Sequence, residues 1–313
     1  MGRRFSNLRE RSKFTISNTK LSICAYGESA RGKSSLGRKL IEAVRLIHPG
    51  AKAKIYTTEH SAAYQSEVSK GNALIWNLNT RETPFETIDF AAKGGWPVNV
   101  DDPKSPINIT TKEDLLEFPI RIYEGLSTFS DFMGGGYVSG GLAARSGRGD
   151  RIGPAEETIK FVDGSISVGG NPRSHYNVVQ TYIRGAVANS HKLPVYLLWT
   201  AHEEKAKEDR TGLPIVGPEV FGQKATQHVP RWFANVLHLS MNPLTKNTKD
   251  GPVIEPEYYM WLKPHYDPLS PGIPFIAKNS IDIEHQSKVP TFLKGGALAL
   301  DEFIGLLKQF GQL

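Results

Sequence analysis

The chain has 313 residues, of which 39% are hydrophobic and 22% charged. This length and composition suffice for one large or two modest domains with buried cores, and they exclude disorder over the full length. The longest apolar runs, such as Val195–Trp199, are far shorter than the roughly 18–20 residues that cross a bilayer, and residues 1–20 are too polar for a signal peptide. The single cysteine, Cys24, excludes an intrachain disulfide and suits a reducing compartment. We therefore expect a soluble cytoplasmic protein without a membrane partner.

The positive charge is unevenly distributed. Lysine and arginine number 38 and aspartate and glutamate 32, which gives a formal net charge of +6. Residues 1–20 hold one acidic residue, Glu10, against these basic residues: Arg3, Arg4, Arg9, Arg11, Lys13 and Lys20. A second basic stretch holds Arg145, Arg148 and Arg151. Both segments are consistent with contacts to phosphate groups and equally with a solvated tail or loop.

Strands and helices alternate along most of the chain. Leu21–Tyr26 predicts a strand that ends at a glycine-rich turn, and Ser34–Ile47 has apolar residues at helical spacing. The next predicted elements are a strand at Lys54–Thr58, a helix that ends at Leu115–Phe118, a strand at Ile120–Tyr123, a helix at Tyr176–Ser190 and a strand at Val195–Thr200. This alternation predicts an α/β fold with a mainly parallel sheet flanked by helices.

The closing part of the chain predicts a different pattern. Ala234–Leu239 and Tyr258–Leu262 predict two antiparallel strands joined through the turn-rich stretch Asn242–Pro256. Ala299–Phe310 predicts a terminal amphipathic helix.

A glycine-rich stretch interrupts the alternation between Gly134 and Asn171 and predicts a mobile insertion. Within it, Ile159–Val162 and Ser165–Val168 flank Asp163-Gly164, which is typical of a β-hairpin. We therefore expect a basic N-terminal arm (1–20), a core domain (21–285) with an insertion at 134–175, and a C-terminal helical tail (286–313).

A phosphate-binding motif follows the first strand. Residues 27–34 fit the pattern G-x-x-x-x-G-K-[ST] in full, between a predicted strand and a predicted helix. The residues expected to contact the nucleotide are Gly27, Glu28, Ser29, Ala30, Arg31, Gly32, Lys33, Ser34 and Ser35. Lys33 is expected to bridge β- and γ-phosphate oxygens and Ser34 to hold Mg²⁺, so the motif predicts binding of ATP with Mg²⁺. A fortuitous glycine turn before a helix is the alternative, which the flanking elements disfavour.

Two glutamates follow neighbouring predicted strands. Glu59 comes after the strand at 54–58, and Glu124 comes after the strand at 120–123. ATP hydrolysis needs a carboxylate near the magnesium ion and a base that orients water, normally at the ends of such strands. Both glutamates qualify, and both are also consistent with ordinary solvated carboxylates at strand ends.

The order of the motifs resembles a known ATPase family. The P-loop, IYTTEH (55–60), IRIYEGLSTF (120–129), VYLLWTAHE (195–203) and FIAKNS (275–280) are similar in order to the RecA-like P-loop ATPases of tailed phages that accompany single-strand annealing proteins. The resemblance implies a RecA-like core, in which Glu59 activates the attacking water. It implies that Glu124 ends the Walker B strand, where the family usually has aspartate. The longer side chain more often reaches the ion through water.

The resemblance also implies roles for two later residues. His202 stands where the family carries a polar sensor of the γ-phosphate, although a hydrogen-bonded strand-end histidine is an equal alternative. Lys278 matches a family lysine that reaches the γ-phosphate of a neighbouring subunit. The second base that the family often has two residues later is Ser280 here. If Lys278 alone completes the site, activity depends on assembly into a homo-oligomer with ATP sites at the subunit interfaces.

Nucleic-acid binding is expected in the glycine-rich insertion. The segment after the Walker B strand faces DNA in RecA-like proteins, and here it carries Arg145, Arg148 and Arg151, with Tyr137 and Tyr176 as stacking candidates. A lid without a ligand is the alternative. A second candidate loop, Glu203–Arg231, has basic residues that nearby acidic residues offset, so it is the weaker candidate.

These features together predict an oligomeric, Mg²⁺- and ATP-dependent, DNA-binding ATPase of the recombinase type. If phage-encoded, it would act in the host cytoplasm, in DNA recombination or single-strand annealing, on single-stranded DNA and with an annealing or single-strand-binding protein as a further partner. A DNA-packaging or helicase motor and a non-hydrolysing nucleotide-gated interaction protein are the alternatives. A small-molecule kinase is more distant, because no acceptor site is recognisable in the sequence.

Overall fold

A computed structural model describes residues 19–58, 62–78, 88, 91–99, 102–107, 112–134, 157–161, 164–168, 172–208, 211–221, 223–248, 251–267 and 270–313. The N-terminal arm up to residue 18 lies outside these residues. So do Glu59 and the three arginines of the insertion, Arg145, Arg148 and Arg151.

The described residues form sixteen strands and seven α-helices. The strands in chain order are β1 (Leu21–Tyr26), β2 (Ala53–Thr57), β3 (Ala73–Asn77), β4 (Trp96–Asn99), β5 (Asp102–Ile107), β6 (Ile120–Glu124), β7 (Glu157–Phe161), β8 (Gly164–Val168), β9 (Tyr196–Ala201), β10 (Glu203–Lys207), β11 (Pro214–Pro218), β12 (Asn235–Thr248), β13 (Gly251–Trp261), β14 (His265–Asp267), β15 (Ser270–Phe275) and β16 (Phe292–Lys294). The helices are α1 (Lys33–Ile47), α2 (Gln65–Ser69), α3 (Lys112–Glu117), α4 (Leu126–Gly134), α5 (Pro172–Ser190), α6 (Gln223–Thr226) and α7 (Leu300–Gln309).

An eight-stranded sheet organises the core in the order β16-β13-β12-β1-β9-β6-β2-β3. Six adjacent strands run parallel to one another: β12, β1, β9, β6, β2 and β3. In contrast, β13 is antiparallel to β12, and β16 is antiparallel to β13. One strand, β9, therefore separates the P-loop strand β1 from β6, which carries Glu124. The predicted α/β fold, with a mainly parallel sheet flanked by helices, is confirmed.

Helices cover both faces of this sheet. On one face, α1 and α7 pack apolar side chains such as Leu40 and Phe303 onto Ile23, Ile55 and Leu198. On the other face, α4 and α5 cover an aromatic row in which Tyr56 stacks on Tyr123 at 4.7 Å and Tyr123 on Trp199 at 4.2 Å. Because the central strands are buried on both faces, their sequences are almost continuously apolar, as in LSICAY and YLLWTA.

The described residues also form three smaller sheets, β10-β11-β15-β14, β4-β5 and β7-β8. The antiparallel pair β7-β8 confirms the strand pair predicted in the insertion. The prediction of a turn-rich connection at Asn242–Pro256 is wrong: β12 and β13 pair along this whole stretch as a two-stranded ribbon. The side chains of this ribbon are largely exposed. Its strands therefore lack the apolar periodicity by which a strand is predicted, and backbone pairing with each other defines them. Among the described helices, none is long and apolar enough to cross a membrane.

A buried charge triad fastens the sheet at the end opposite the P-loop. Asp114 of α3 accepts hydrogen bonds from Lys54 Nζ at 2.6 Å and from Arg121 Nη2 at 3.0 Å. All three side chains are at most 5% exposed. Burial lowers the pKa of Lys54, and the Asp114 carboxylate opposes that shift. The triad joins the starts of β2 and β6, and so fixes the two strands that end at the candidate site.

Candidate nucleotide-binding site

The P-loop connects the carboxyl end of β1 to the start of α1. Two of its residues adopt left-handed backbone conformations, Ala30 with φ of 62° and Gly32 with φ of 90°. Gly27 is required by a close approach, because a Cβ there would lie 2.3 Å from the carbonyl oxygen of Leu239 in β12. Alternating left- and right-handed conformations before a helix turn successive N–H groups inward, which builds an anion-binding concavity.

The side chain of Lys33 spans this loop. Its Nζ donates hydrogen bonds to the carbonyl oxygens of Gly27 at 2.8 Å and Glu28 at 2.7 Å. These contacts hold the ammonium group against the first turn of the loop, where it would meet the phosphates of a bound nucleotide.

Ser34 and Glu124 lie in direct contact. The Ser34 hydroxyl donates a hydrogen bond to Glu124 Oε1. Glu124 is 4% exposed, ends β6 and pairs in register with Thr57 of β2. The next residue, Gly125, donates its N–H to the hydroxyl of Thr200 in β9 at 2.9 Å. The ends of three neighbouring parallel strands thus converge on the start of α1.

This pair of oxygen ligands suits magnesium. Mg²⁺ prefers carboxylate and hydroxyl oxygens, and it usually keeps several waters and binds substrate phosphates. In the part of the chain that the structure describes, no group of three or more His, Cys, Asp or Glu side chains is placed to hold a metal. Ser34 and Glu124 therefore fit a magnesium ion that a nucleotide brings with it.

Glu59 and His202 follow strands β2 and β9 in sequence, and β6 lies between these two strands in the sheet. Glu59 follows Thr58 directly but lies outside the described residues, so its role stays a prediction. The N–H of His202 donates to the Ser127 hydroxyl at 2.8 Å, and its carbonyl accepts from the N–H of Glu219 at 2.8 Å. Because Ser127 belongs to the first turn of α4, the backbone of His202 is tied to the helix that begins just after Glu124. A sensor role for His202 stays a prediction.

Lys278 lies on the far side of β12 from the P-loop strand. Its backbone exchanges two hydrogen bonds of 2.9 Å with Val236 of β12. The side chain is half-buried, and burial lowers its pKa. In the described part of the chain this side chain makes no hydrogen bond or ion pair, with the P-loop or elsewhere, and its backbone is separated from the P-loop strand by β12. The structure therefore does not bring Lys278 to the phosphate site of its own subunit.

Sequence reasoning missed a cavity of about 350 Å³ beside the P-loop. Glu28 and Arg31 line it, together with a chain of two buried histidines and a half-buried glutamate. His238 Nδ1 lies 3.0 Å from His265 Nε2, and His238 Nε2 lies 3.2 Å from Glu203 Oε2. Each residue comes from a different strand, so no sequence motif joins them. A carboxylate and two imidazoles therefore border the nucleotide site.

A second cavity, of about 430 Å³, lies between α5 and the turn after α6. It is lined by Gln180, Thr181, Arg184, Ala225, His228, Arg231 and Trp232. We call it the basic cavity, because the described residues of its lining include two arginines and a histidine but no carboxylate. The arginines are exposed and the Trp232 indole is half-buried. Cationic groups beside an indole suit a phosphate backbone and a stacked base.

Hydrogen bonds connect the basic cavity to the helix that follows Glu124. Gln180 of the cavity donates to the carbonyl of Phe221 at 3.5 Å, and the N–H of Phe221 donates to the Ser130 hydroxyl of α4 at 2.9 Å. One turn earlier, the Ser127 hydroxyl donates to the carbonyl of Glu219 at 3.0 Å. Helix α4 is thus bonded both to the segment at the cavity and to His202.

No protein-family model matches the chain, and no curated protein matches it. Among solved structures it is similar to a KaiC-like protein from Pyrococcus horikoshii OT3, at 9% identity over 78% of this chain and 79% of the other, with a TM-score of 0.37. It is also similar to the flagellar accessory protein FlaH from Methanocaldococcus jannaschii, at 8% identity over 76% of each chain, with a TM-score of 0.36. Similarity at this level does not indicate what the chain binds or catalyses, so the interpretation of the site depends on its own geometry.

Proposed function

We propose that this protein is a Mg²⁺-dependent ATPase of the RecA type that acts on single-stranded DNA as a homo-oligomer, in phage DNA recombination or single-strand annealing. The observation that carries the ATPase part is the contact between Ser34 and Glu124 at the mouth of a P-loop whose Lys33 spans the loop. A hydroxyl, a carboxylate and an ammonium group converge where phosphates would bind.

The chemistry assigns one task to each residue. The loop N–H groups and the N-terminus of α1 bind the phosphates, and Lys33 bridges β- and γ-oxygens. Ser34 and Glu124 hold Mg²⁺, which when bound neutralises charge on those oxygens. Glu59 accepts a proton from a water molecule whose oxygen bonds to the γ-phosphorus while the bond from that phosphorus to the bridging oxygen breaks. The products are ADP and inorganic phosphate.

Lys278 completes the site of a neighbouring subunit in this proposal. The lysine side chain is half-buried and without a partner among the described residues, and its backbone lies beside β12 on the side away from the P-loop strand. A cation supplied across an interface stabilises charge that develops on the γ-phosphoryl group. Hydrolysis would then require assembly.

Single-stranded DNA is proposed as the nucleic-acid partner. The three arginines of the insertion and the basic cavity with Trp232 support this, since proteins that bind single strands combine a cationic track with aromatic stacking. Helix α4 is hydrogen-bonded to Phe221, which contacts Gln180 of the basic cavity, and to His202. Through these bonds, binding of DNA at the cavity and binding of nucleotide at the P-loop can each change the affinity for the other.

ATP turnover with Mg²⁺, measured with and without oligo-dT, tests the proposal. Turnover that DNA stimulates is expected, with Lys33→Ala as the blank. Nucleotide binding without turnover would favour the nucleotide-gated interaction protein. Strong turnover accompanied by movement along duplex DNA would favour the motor.

A further inference from the structure

Tyr64 is a fully buried tyrosine beside the candidate magnesium site. It ends a single 3-10 turn, Ala62–Tyr64, and its ring packs in the core on the α1 face of the sheet. Its hydroxyl is buried, yet it has no hydrogen-bond partner in the described part of the chain. Buried hydroxyls are nearly always bonded, so an unbonded one calls for an explanation by function or by a missing ligand.

The backbone of α1 is shaped around this hydroxyl. A Cβ at Gly37 would lie 2.2 Å from the Tyr64 hydroxyl oxygen and 3.0 Å from two ring carbons. Glycine at position 37 therefore makes room for the tyrosine. Gly37 is one turn beyond Ser34, so the hydroxyl sits next to the turn that carries the candidate magnesium ligand.

The surroundings of Tyr64 keep its hydroxyl protonated, so the hydroxyl can donate a hydrogen bond. Burial raises the pKa of its hydroxyl well above the ordinary value, and the Glu124 carboxylate raises it further, against the opposing effect of Arg38. The hydroxyl is therefore protonated at neutral pH, within electrostatic reach of the carboxylate that Ser34 contacts.

We propose that Tyr64 is a positioning residue of the nucleotide site, whose hydroxyl donates a hydrogen bond to the Glu124 carboxylate when Ser34 turns its oxygen toward magnesium. The inference rests on the proposed function. In the structure the Ser34 hydroxyl donates to Glu124. Ser34 would turn its oxygen toward Mg²⁺ bound with ATP, and the buried Tyr64 hydroxyl, which has no hydrogen-bond partner among the described residues, would replace it as a donor to Glu124. The replacement keeps Glu124 oriented while it faces the ion.

The test is Tyr64→Phe, with Tyr196→Phe as the matched control. The Tyr196 hydroxyl lies 3.1 Å from His48 Nε2 at the other end of the sheet, so its loss removes an existing hydrogen bond far from the site. We expect Tyr64→Phe to melt at or above the wild-type temperature without nucleotide, because it removes an unbonded buried hydroxyl. Tyr196→Phe is expected to melt lower.

The binding readout is a Mg²⁺ titration of the affinity for a fluorescent ATP analogue. Tyr64→Phe is expected to need about tenfold more Mg²⁺, the effect of one hydrogen bond to a charged group, whereas Tyr196→Phe matches wild type. An unchanged Mg²⁺ requirement in Tyr64→Phe would overturn the inference, and so would a nucleotide-free melting temperature lowered as far as in the control. If wild type itself does not bind the analogue, the proposed function fails and the inference fails with it.

A double-mutant cycle checks the placement of the hydroxyl. Gly37→Ala is expected to lower stability, and to lower it less in a Tyr64→Phe background, because the atom nearest to the new methyl group is then absent. An equal reduction of stability in both backgrounds would contradict the contact and the inference built on it.

Discussion

The Ser34 hydroxyl donates a hydrogen bond to the carboxylate of Glu124, 90 positions further along the chain. The contact joins the first turn of the helix after the P-loop to the end of a strand that is separated from the P-loop strand by β9. The contact therefore places a hydroxyl and a carboxylate from distant parts of the chain next to each other at the end of the P-loop.

Glu124→Ala removes the carboxylate from this pair. We expect ATP to bind, with a large rise in the Mg²⁺ concentration needed for turnover, because Ser34 would be the remaining protein ligand. A Mg²⁺ titration of turnover measures this. Thr200→Ala, which removes the acceptor of the Gly125 N–H, is the control for disturbance of the strand end. A titration curve that matches wild type would exclude Glu124 from the metal site.

Glu59→Gln removes a base but keeps the shape of the side chain. Turnover is expected to fall by about 10²–10⁴-fold, the usual contribution of a general base, while ATP affinity changes little. Single-turnover kinetics alongside equilibrium binding separate the two effects. Loss of binding in proportion to turnover would count against Glu59 as the base.

Lys278→Ala is expected to fold and to bind ATP, but to hydrolyse it about 10³–10⁵-fold more slowly, by analogy with arginine fingers. Wild-type turnover per subunit should rise with protein concentration as subunits assemble. Mixing Lys278→Ala with Lys33→Ala should restore part of the activity, since some interfaces then pair an intact P-loop with an intact lysine. A co-assembled mixture as inactive as its parts would rule out the shared site.

Paired replacement of Arg184 and Arg231 by alanine tests the basic cavity. Binding of oligo-dT should weaken, and the slope of log affinity against log salt should fall by about 0.7 for each phosphate that the arginines no longer neutralise. The control is the pair Lys288→Ala and Lys308→Ala, which removes the same charge from exposed positions elsewhere. If both double variants bind alike, the cavity does not contact DNA. The insertion arginines would then be tested in the same way.

His191 predicts how stability depends on pH. It is half-buried, its Nε2 lies 2.5 Å from the Ser22 hydroxyl, and burial lowers its pKa from the ordinary value of 6.5. Below that value the unfolded chain binds a proton more readily than the folded protein, so stability falls as the pH decreases. Melting curves between about pH 7 and pH 5 should show this, with a shallower decline in His191→Gln. The same slope in both proteins would mean that other groups govern the acid response.

The sequence predicted the parts of the fold that apolar periodicity defines. LSICAY and YLLWTA are buried on both faces, so their strands and the parallel sheet could be recognised. The P-loop motif predicted Ser34 as a magnesium ligand. Glu124 was predicted as a second ligand because it follows a predicted strand of the parallel sheet. The sheet β10-β11-β15-β14 could not be predicted, because strands such as EEKAK and SPGIPF are charged or contain prolines.

The missed site residues share a cause. Tyr64 belongs to no sequence motif. What marks its position is the space that Gly37, in helix α1, leaves for its hydroxyl, and this space exists only in the folded protein. The Glu203, His238 and His265 chain comes from three separate strands that only the folded sheets bring together. Such contacts depend on tertiary packing, which one sequence without its fold does not reveal.

Titration calorimetry of ATP binding to the wild-type protein, with and without Mg²⁺, tests directly whether the P-loop binds nucleotide. We expect one ATP per chain, tighter binding with Mg²⁺, and loss of binding in Lys33→Ala but not in Lys39→Ala, a lysine of the same helix that pairs with Glu42. Absence of ATP binding by wild type, or equal binding by Lys33→Ala, would contradict nucleotide binding by the P-loop.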